Sequence, residues 1–334
     1  MLFLFPSDTL AEYTDLFSLN YKEITMLFSL ALIPVFGLLL FIYFNDKKEK
    51  EPIGLLIALF FAGMGTVVSA ILIETIGDGI VGIMFPNSPV LYSVLSAMLV
   101  VAPAEELGKF LVLRLITWKN KHFNYSYDAI VYAVFVSLGF AALENVGYVF
   151  SNGIGTALMR MFTAVPGHAC FAVFMGYFYS KAKYASLTKD KKCVLHIILS
   201  MLVPIVIHGI YDAILMGAVS SAEEITMGIS FIVWLGFVTA LFVVSIIFII
   251  RSSKHDYCIV SLPDANQLVY RPEFIGTWTC SCGVINYLNY CSRCGSQRPM
   301  GNIWNCPLCG TMSTFNFCGH CGTPRPLGQN TLYR

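Results

Sequence analysis

Seven long apolar segments, each able to cross a bilayer, constrain the fold of this chain more than any other feature. A transmembrane helix needs about 20 apolar residues to cross a hydrocarbon core of roughly 30 Å. The segments span approximately 24–44, 53–76, 90–116, 128–150, 157–180, 194–217 and 228–250. Of the 334 residues 57% are hydrophobic and only 12% are charged, which excludes a soluble globular protein of this size. The sequence therefore predicts an all-α polytopic membrane protein with about seven transmembrane helices.

The basic residues indicate how these helices are oriented. They crowd the connections after the first, third, fifth and seventh segments: Lys47, Lys48, Lys50, Arg114, Lys119, Lys121, Lys181, Lys183, Lys189, Lys191, Lys192, Arg251 and Lys254. The alternate connections 77–89 and 218–227 contain no lysine or arginine, and 151–160 contains only Arg160. Because short cytoplasmic loops carry the excess of basic residues, the N-terminus is predicted outside and the C-terminus in the cytoplasm. We expect an integral protein of the plasma membrane.

The domain organisation follows from changes in composition. Residues 1–23 mix apolar and acidic positions and lack the basic start of a signal peptide, so we expect an extracytoplasmic N-terminal segment. Residues 24–250 form the transmembrane domain, and 251–275 form a polar linker. Two cysteine-rich units follow at 276–299 and 302–325, each too poor in apolar residues to form a core without a metal ion.

The cysteine spacing of these units is typical of zinc sites. The thiolates form two sets of four, Cys280, Cys282, Cys291 and Cys294, then Cys306, Cys309, Cys318 and Cys321. A glycine follows the second cysteine of every pair, where it lets the backbone turn towards the sulfurs. Four thiolates per unit suit one tetrahedral Zn²⁺ ion, so two structural Zn²⁺ ions are predicted in the cytoplasmic tail.

The two units resemble tandem zinc ribbons. Trp278 and Asn286 also resemble the Ran-binding-protein type of finger, whose members bind single-stranded RNA or ubiquitin, but Ser313 stands where the second unit would need its asparagine. The segment is not strongly basic. We therefore expect a cytoplasmic protein partner for these units and not nucleic acid.

Three charged residues lie inside the third apolar segment. Glu105, Glu106 and Lys109 occur within five residues, and apolar sequence continues beyond them. A charge near the centre of a bilayer costs roughly 2.5–3.5 kcal/mol on insertion scales, so unpaired charges are rare there. Glu105 and Lys109 are four residues apart and share a helix face, whereas Glu106 points about 100° away from Glu105. This group is the first candidate for a functional site.

Later segments contain a sparse set of further polar residues: Glu144 and Asn145, His168, and His208 with Asp212. Asp212 is one helical turn from His208 and is placed to fix its tautomer. A carboxylate in apolar surroundings can act on water as a general base or acid, and histidine can stabilise an oxyanion or bind a metal ion. No serine or cysteine lies in a nucleophile motif, so the residues indicate activated water. Carboxylates and a metal ion both remain open as the activator.

The motifs resemble those of the PrsW family of intramembrane proteases, which is distantly similar to CAAX prenyl proteases and bacteriocin-processing membrane proteins. Glu105-Glu106-Leu-Gly-Lys109 matches EExxK, Phe140-Ala-Ala-Leu-Glu144-Asn145 matches FxxxE(N), and a histidine stands in each of two later segments. The resemblance covers about residues 24–250. It implies a bacterial enzyme that hydrolyses a peptide bond of a membrane-protein substrate within the lipid bilayer. A regulator such as an anti-sigma factor is one example of such a substrate.

The resemblance also implies roles for the motif residues. Glu105 and Glu106 supply the carboxylate that activates water, Glu144 positions that water or shares its proton, and Lys109 compensates the paired acids. Asn145 belongs to the same motif and is counted with the catalytic residues. His168 and His208 hold the oxyanion or a metal ion, with Asp212 orienting His208. Because the HExxH pair of zinc proteases is missing, a glutamate-type mechanism is favoured and a catalytic metal stays open. Two other hypotheses use the same residues: a proton- or cation-coupled transporter or channel, and a membrane sensor or scaffold whose zinc module recruits partners.

Overall fold

A computed structural model describes residues 20–221, 223–259, 278–279, 285–286, 304–310, 312–313, 318 and 320–324. It divides into two units, Met1–Tyr257 and Cys258–Arg334. Most of the predicted N-terminal segment 1–23 and of the linker 251–275 lies outside the described residues. The first set of cysteines, Cys280, Cys282, Cys291 and Cys294, also lies outside them.

The described part of the first unit consists of seven helices. They are α1 (Tyr21–Asn45), α2 (Ile53–Met84), α3 (Pro89–Thr117), α4 (Asp128–Phe162), α5 (Ala164–Leu187), α6 (Cys193–Val219) and α7 (Glu224–Lys254). Asn20 caps α1 by accepting hydrogen bonds from the backbone N–H groups of Lys22 and Glu23, while Glu23 bonds back to the amide of Asn20. Within α3, residues Ala97–Val101 form a π-helical turn.

The prediction of an all-α polytopic membrane protein is confirmed. Six helical stretches of the described chain are long and apolar enough to cross a membrane, and one of them, Asp128–Leu187, has 60 residues. That stretch contains α4 and α5, which pack antiparallel: Gly176 lies against Ala129 and Ile130 at one end, and Ser137 Oγ donates to the carbonyl of His168 further along. With α4 and α5 counted separately, seven helices correspond to the seven predicted segments.

The helix boundaries differ from the predicted ones. Helix α2 continues to Met84, α4 to Phe162 and α7 to Lys254, so these helices run beyond their apolar segments. Near the end of α4, Gly153 adopts a left-handed φ of 77°, a conformation that glycine reaches without strain. The kink redirects the last turns of α4, which carry Arg160.

Helix α4 forms the centre of the bundle, and nearly all of its first fifteen residues are buried. Two glycines bring α2 directly against it. A Cβ atom on Gly63 would lie 2.0 Å from the carbonyl oxygen of Val136, and one on Gly139 would lie 2.0 Å from that of Phe60. Small residues allow such backbone contact between membrane helices, and here they fix α2 beside the polar face of α4.

The connections 46–52, 118–127 and 188–192, together with residues 255–257 after α7, lie at one end of the bundle, here named the basic end. The chain is tied together there by the N-terminal part of α4 and the residues after α7. Ser126 Oγ and the amide of Tyr127 donate to Asp256 Oδ1 over 2.8 Å each, and the amide of Ser126 donates to the carbonyl of Tyr257 over 2.9 Å.

The second unit contains two short antiparallel hairpins. Strand β1 (Trp278–Thr279) pairs with β2 (Ile285–Asn286), with Trp278 opposite Asn286. Strand β3 (Trp304–Asn305) pairs with β4 (Met312–Ser313), with Trp304 opposite Ser313. The two hairpins therefore have the same register.

Candidate active site

Lys109 is the centre of a buried ion-pair cluster. Its side chain is inaccessible to solvent, and its Nζ atom lies 2.9 Å from Glu105 Oε2 and 2.8 Å from Glu106 Oε1. Because the three residues occupy neighbouring positions on successive turns of α3, both carboxylates reach one ammonium group. The ring of Phe140 in α4 covers this ammonium with its centroid 3.9 Å from Nζ, a cation–π contact.

The helix that carries these charges is irregular immediately before them. The π-helical turn Ala97–Val101 leads directly into Ala102–Thr117, and Pro103 is the second residue of that segment. Proline has no amide hydrogen for the regular i→i−4 bond, so a wider turn accommodates it. The charged residues begin two positions after Pro103, directly after this irregular part of α3.

His168 connects α5 to the cluster through both ring nitrogens. Its Nδ1 atom lies 3.2 Å from Lys109 Nζ, and its Nε2 atom lies 3.0 Å from Glu144 Oε2. Lysine donates and a carboxylate accepts, so this pattern fits the neutral ring with its proton on Nε2. Pro166 precedes it in the first turn of α5, where the missing amide donor leaves no helical bond unmade.

His208 in α6 lies between two carboxylates. Its Nδ1 atom is 3.1 Å from Glu106 Oε1, and its Nε2 atom is 3.2 Å from Asp212 Oδ2, one turn along the same helix. Both partners accept hydrogen bonds, which fits a ring protonated on both nitrogens. The ring of Phe171 stacks on it at 4.6 Å between centroids, and the ring of His168 lies 5.5 Å away.

Glu144 has a second partner, Arg160, which the sequence motifs do not include. Arg160 Nη2 lies 2.8 Å from Glu144 Oε2, and Arg160 Nε donates to Asn145 Oδ1 over 2.8 Å. Asn145 also donates to the carbonyl of Ala31 in α1 over 2.9 Å. Asn145 therefore positions Arg160 and anchors α1, and it does not face the cavity described next.

These side chains surround a cavity of about 360 Å³ between α2, α3, α4, α5, α6 and α7. Seven carboxylate, imidazole or guanidinium side chains line it: Glu74, Glu105, Glu144, Arg160, His168, His208 and Asp212. Aromatic and aliphatic residues such as Phe140, Phe171 and Trp234 form the rest of the wall. Glu106 and Lys109 lie behind this wall and not on it. Glu105 is thus the member of the glutamate pair that faces the cavity.

Glu74 is a cavity residue that the sequence did not reveal. The segment boundary at residue 76 suggested that Glu74 and Asp78 lie at a helix end facing water, but α2 continues to Met84 and both side chains are buried. Asp78 accepts a hydrogen bond from Ser96 in α3, whereas Glu74 lines the cavity on the side of Glu105. The length of α2 was the missing information. The apolar segment ends at residue 76, whereas the helix continues to Met84.

A metal ion at the buried cluster would need ligands from Glu105, Glu106 and His168, whose ligand atoms lie within 4.8 Å of one another. Two carboxylates and an imidazole are a suitable donor set for zinc. However, Lys109 Nζ already contacts Glu105 Oε2, Glu106 Oε1 and His168 Nδ1 at 2.9, 2.8 and 3.2 Å. The ammonium group takes the place between the ligands, so the arrangement does not fit a metal ion there while Lys109 keeps this position.

The cysteines of the second unit do fit a metal ion. The sulfurs of Cys306, Cys309, Cys318 and Cys321 lie within 4.8 Å of one another, with Cys306 Sγ and Cys321 Sγ 3.4 Å apart. Zinc–sulfur bonds of about 2.3 Å at tetrahedral angles place sulfurs roughly 3.8 Å apart. The glycines after the second and fourth cysteines have left-handed φ values, 71° at Gly310 and 74° at Gly322. Their amides donate back to the carbonyls of Cys306 and Cys318 over 2.9 Å each, as the predicted turns require.

The helical unit matches a known protein family. Residues 51–249 match the family described as PrsW family intramembrane metalloprotease. This range contains every ionisable residue of the cavity and ends before the cysteine-rich second unit. No solved structure matches the chain.

Several proteins named Protease PrsW are similar to it. The protein of Geobacillus kaustophilus (strain HTA426) is 36% identical over 192 residues, which cover 57% of this chain and 80% of the relative. That of Bacillus subtilis (strain 168) is 33% identical over 193 residues, 56% of this chain and 81% of the relative. That of Clostridioides difficile (strain 630) is 36% identical over 196 residues, 57% of this chain and 79% of the relative.

Proposed function

The chain belongs to the PrsW family of intramembrane proteases, and from this premise we propose how its cavity hydrolyses a peptide bond. It is an integral membrane protein and an intramembrane endopeptidase, and its substrate is a membrane protein within the bilayer. The family identity favours the protease over the transporter and the scaffold that the residues alone left open. The mechanism, the substrate class and the orientation are our proposals.

We assign the role of general base to Glu105. Glu106 is fully buried and bound to Lys109 and His208, and Glu144 is bound to both Arg160 and His168. Glu105 contacts Lys109 through Oε2, and it is the one of the pair that faces the cavity. A carboxylate with an oxygen available to water can accept its proton, and this placement of Glu105 on the cavity wall is the observation that carries the proposal.

The reaction then needs no further nucleophile. Glu105 takes a proton from water as the oxygen bonds to the scissile carbonyl carbon, and the carbonyl oxygen becomes an oxyanion. The ring of His208, protonated on both nitrogens, and the ring of His168, 5.5 Å away, stabilise the charge of that oxygen electrostatically. Protonated Glu105 then gives its proton to the leaving amine as the peptide C–N bond breaks. Glu144 and Asp212 keep the two rings oriented, and Lys109 balances the charges of Glu105 and Glu106.

Proteolysis in liposomes that contain a single-pass substrate tests this assignment. Removing a general base lowers the rate by about 10²- to 10⁴-fold, so Glu105→Gln should lose cleavage while its helical content and thermal unfolding resemble those of the wild type. Tyr148→Phe, a conservative change elsewhere on the cavity wall, is the matched control and should cleave within a few-fold of the wild type. Normal cleavage by Glu105→Gln excludes Glu105 as the base.

Metal analysis of the full chain separates the carboxylate mechanism from a metal-centred one. We propose that the second unit binds zinc through two sets of four cysteines, and that the cavity binds none. Metal content should then be the same in the wild type and in Glu105→Gln with His168→Ala. A loss of one equivalent in that double variant would show a metal ion at the cluster and overturn the mechanism proposed here.

The substrate and the orientation follow from the resemblance and from the basic loops. We propose that the substrate is a single-pass regulator, of which anti-sigma factors are an example. We also propose that the basic end faces the cytoplasm, which places the cysteine-rich unit there to recruit a protein partner. A cysteine introduced at Lys191 should resist a membrane-impermeant maleimide in intact cells and react after the cells are opened; labelling of intact cells would reverse the orientation.

A further inference from the structure

A second cavity lies at the basic end of the bundle, away from the catalytic residues. It has a volume of about 540 Å³ and is bounded by α5, α7 and the residues that precede α4. Three basic side chains line it: Lys181 from α5, Arg251 from the last turn of α7, and His255 immediately after α7. Ser126, Ser180 and Ser252 add three hydroxyl groups, and none of the described residues that line the cavity carries a carboxylate.

The basic residues of this cavity form no ion pair with an acid among the described residues. Of the residues that the structure describes, none places a carboxylate oxygen within 4.0 Å of Lys181, Arg251 or His255. The neighbouring acid, Asp256, is buried and accepts hydrogen bonds from Ser126 and Tyr127. Lys181, Arg251 and His255 therefore face this space without a counter-charge from the described part of the chain.

The deeper wall of the cavity is apolar and rigid. Ile247 and Phe248 line it one turn before Arg251, and Tyr177 lines it one turn before Lys181. The rings of Tyr177 and Phe248 pack edge-to-face at 5.1 Å, and Lys181 Nζ lies 4.4 Å from the centroid of Tyr177. The apolar rings thus lie directly beside the basic groups of the cavity.

The position of the cavity along the helices matches the edge of a bilayer. Lys181 and Arg251 are the first charged residues after the apolar segments of α5 and α7, so they lie at the level where hydrocarbon gives way to headgroups. A ligand at this depth meets cations on its outer part and apolar rings on its inner part. Basic pockets between membrane helices bind the headgroups of anionic lipids.

From this juxtaposition we propose that the cavity is a binding site for an anionic glycerophospholipid. Lys181, Arg251 and His255 hold the phosphate and the hydroxyls of Ser180 and Ser252 donate to its oxygens, while the first carbons of an acyl chain lie against Phe248 and Ile247. The site uses none of the residues that line the catalytic cavity.

Native mass spectrometry of the delipidated full chain tests the proposal. The protein is titrated with phosphatidylglycerol, with phosphatidylcholine of the same acyl chains, and with inorganic phosphate alone. Phosphatidylglycerol should bind more tightly than phosphatidylcholine. In Lys181→Gln with Arg251→Gln its affinity should fall about 25-fold, since a basic residue near an anionic lipid contributes on the order of fivefold.

Lys119→Gln with Lys191→Gln is the matched control, because both lysines are exposed at the same end of the bundle and lie outside the cavity. This variant removes the same charge and should bind phosphatidylglycerol as the wild type does. Equal loss of affinity in the control, or equal binding of the two lipids, overturns the proposal. Phosphate alone binding as tightly as the lipid shows a free-anion site and also overturns it. Phe248→Ala separates the two sources further, because it should weaken the lipid but not phosphate.

Discussion

Replacing Lys109 with methionine removes the cation on which the catalytic cluster depends. The side chain is fully buried and forms two ion pairs, at 2.9 Å to Glu105 and 2.8 Å to Glu106. At an effective dielectric constant of 20, each pair at this distance is worth roughly 5–6 kcal/mol before desolvation is counted. The net cost of removing one partner from a buried pair is roughly 3–5 kcal/mol, because the remaining charge stays buried without compensation.

This cost predicts a large change in thermal stability. One kcal/mol shifts the unfolding midpoint of a domain of 150–250 residues by about 2–4 °C, so Lys109→Met should unfold about 6–20 °C below the wild type. Circular dichroism of the full chain in detergent measures the midpoint, since the described helices all lie in the first unit. Lys191→Met, which removes an exposed lysine from a loop, should leave the midpoint unchanged.

A double variant separates lost charge balance from lost packing. Lys109→Met with Glu106→Gln removes one positive and one negative charge, and Glu106 is the member of the pair that does not face the cavity. If the unpaired acid is the main cost, this variant should regain more than half of the lost stability. A midpoint for Lys109→Met within about 2 °C of the wild type would refute the ion-pair reasoning. No recovery in the double variant would refute the charge-balance part of it.

Three further predictions address other parts of the chain. Arg160→Gln should lower kcat/KM about 10- to 100-fold in the liposome assay, because Glu144 loses its 2.8 Å partner and no longer holds His168 in place. Activity equal to that of the wild type would exclude this positioning role. Burial raises the pKa of Asp46 to about 7, so the wild type loses stability as the pH rises from about 4 to 7. Asp46→Asn should therefore melt higher than the wild type at pH 8, by about 2–4 °C after allowance for solvent screening, and equally near pH 4; a pH-independent difference contradicts the reasoning. Cys306→Ser should lower the zinc content of the full chain by one equivalent, as measured by mass spectrometry of the metal, and an unchanged content removes Cys306 from the ligands.

The sequence predicts the number of helices and the side-chain pairs within single helices well, because both depend on residues that are close together in the chain. Apolar length decides which segments cross a bilayer, and helical spacing decides that Glu105 shares a face with Lys109 and His208 with Asp212. The structure contains both pairs as direct contacts, at 2.9 and 3.2 Å. Such inferences need only residues that are three or four positions apart.

Contacts that depend on helix ends and kinks cannot be predicted from the spacing of residues. Arg160 reaches Glu144 because the chain bends at Gly153 and returns the last turns of α4 towards the cavity, and no periodic pattern predicts the direction of that bend. Glu74 lines the cavity because α2 is longer than its apolar segment. The convergence of α3, α4, α5 and α6 around His168 and His208 is likewise a result of tertiary packing.

The charge distribution of the cluster explains why one carboxylate remains available for chemistry. Four hydrogen-bonded acids, Glu105, Glu106, Glu144 and Asp212, face the two fixed cations Lys109 and Arg160, with the imidazole rings between them. Glu106 and Glu144 each have two partners within 3.1 Å, whereas Glu105 has Lys109 at 2.9 Å and His168 only at 4.0 Å, and it lines the cavity. These partners occupy the carboxylates of Glu106 and Glu144. Glu105 is the acid of α3 that lines the cavity, so the network that stabilises the fold also leaves the proposed general base open to water.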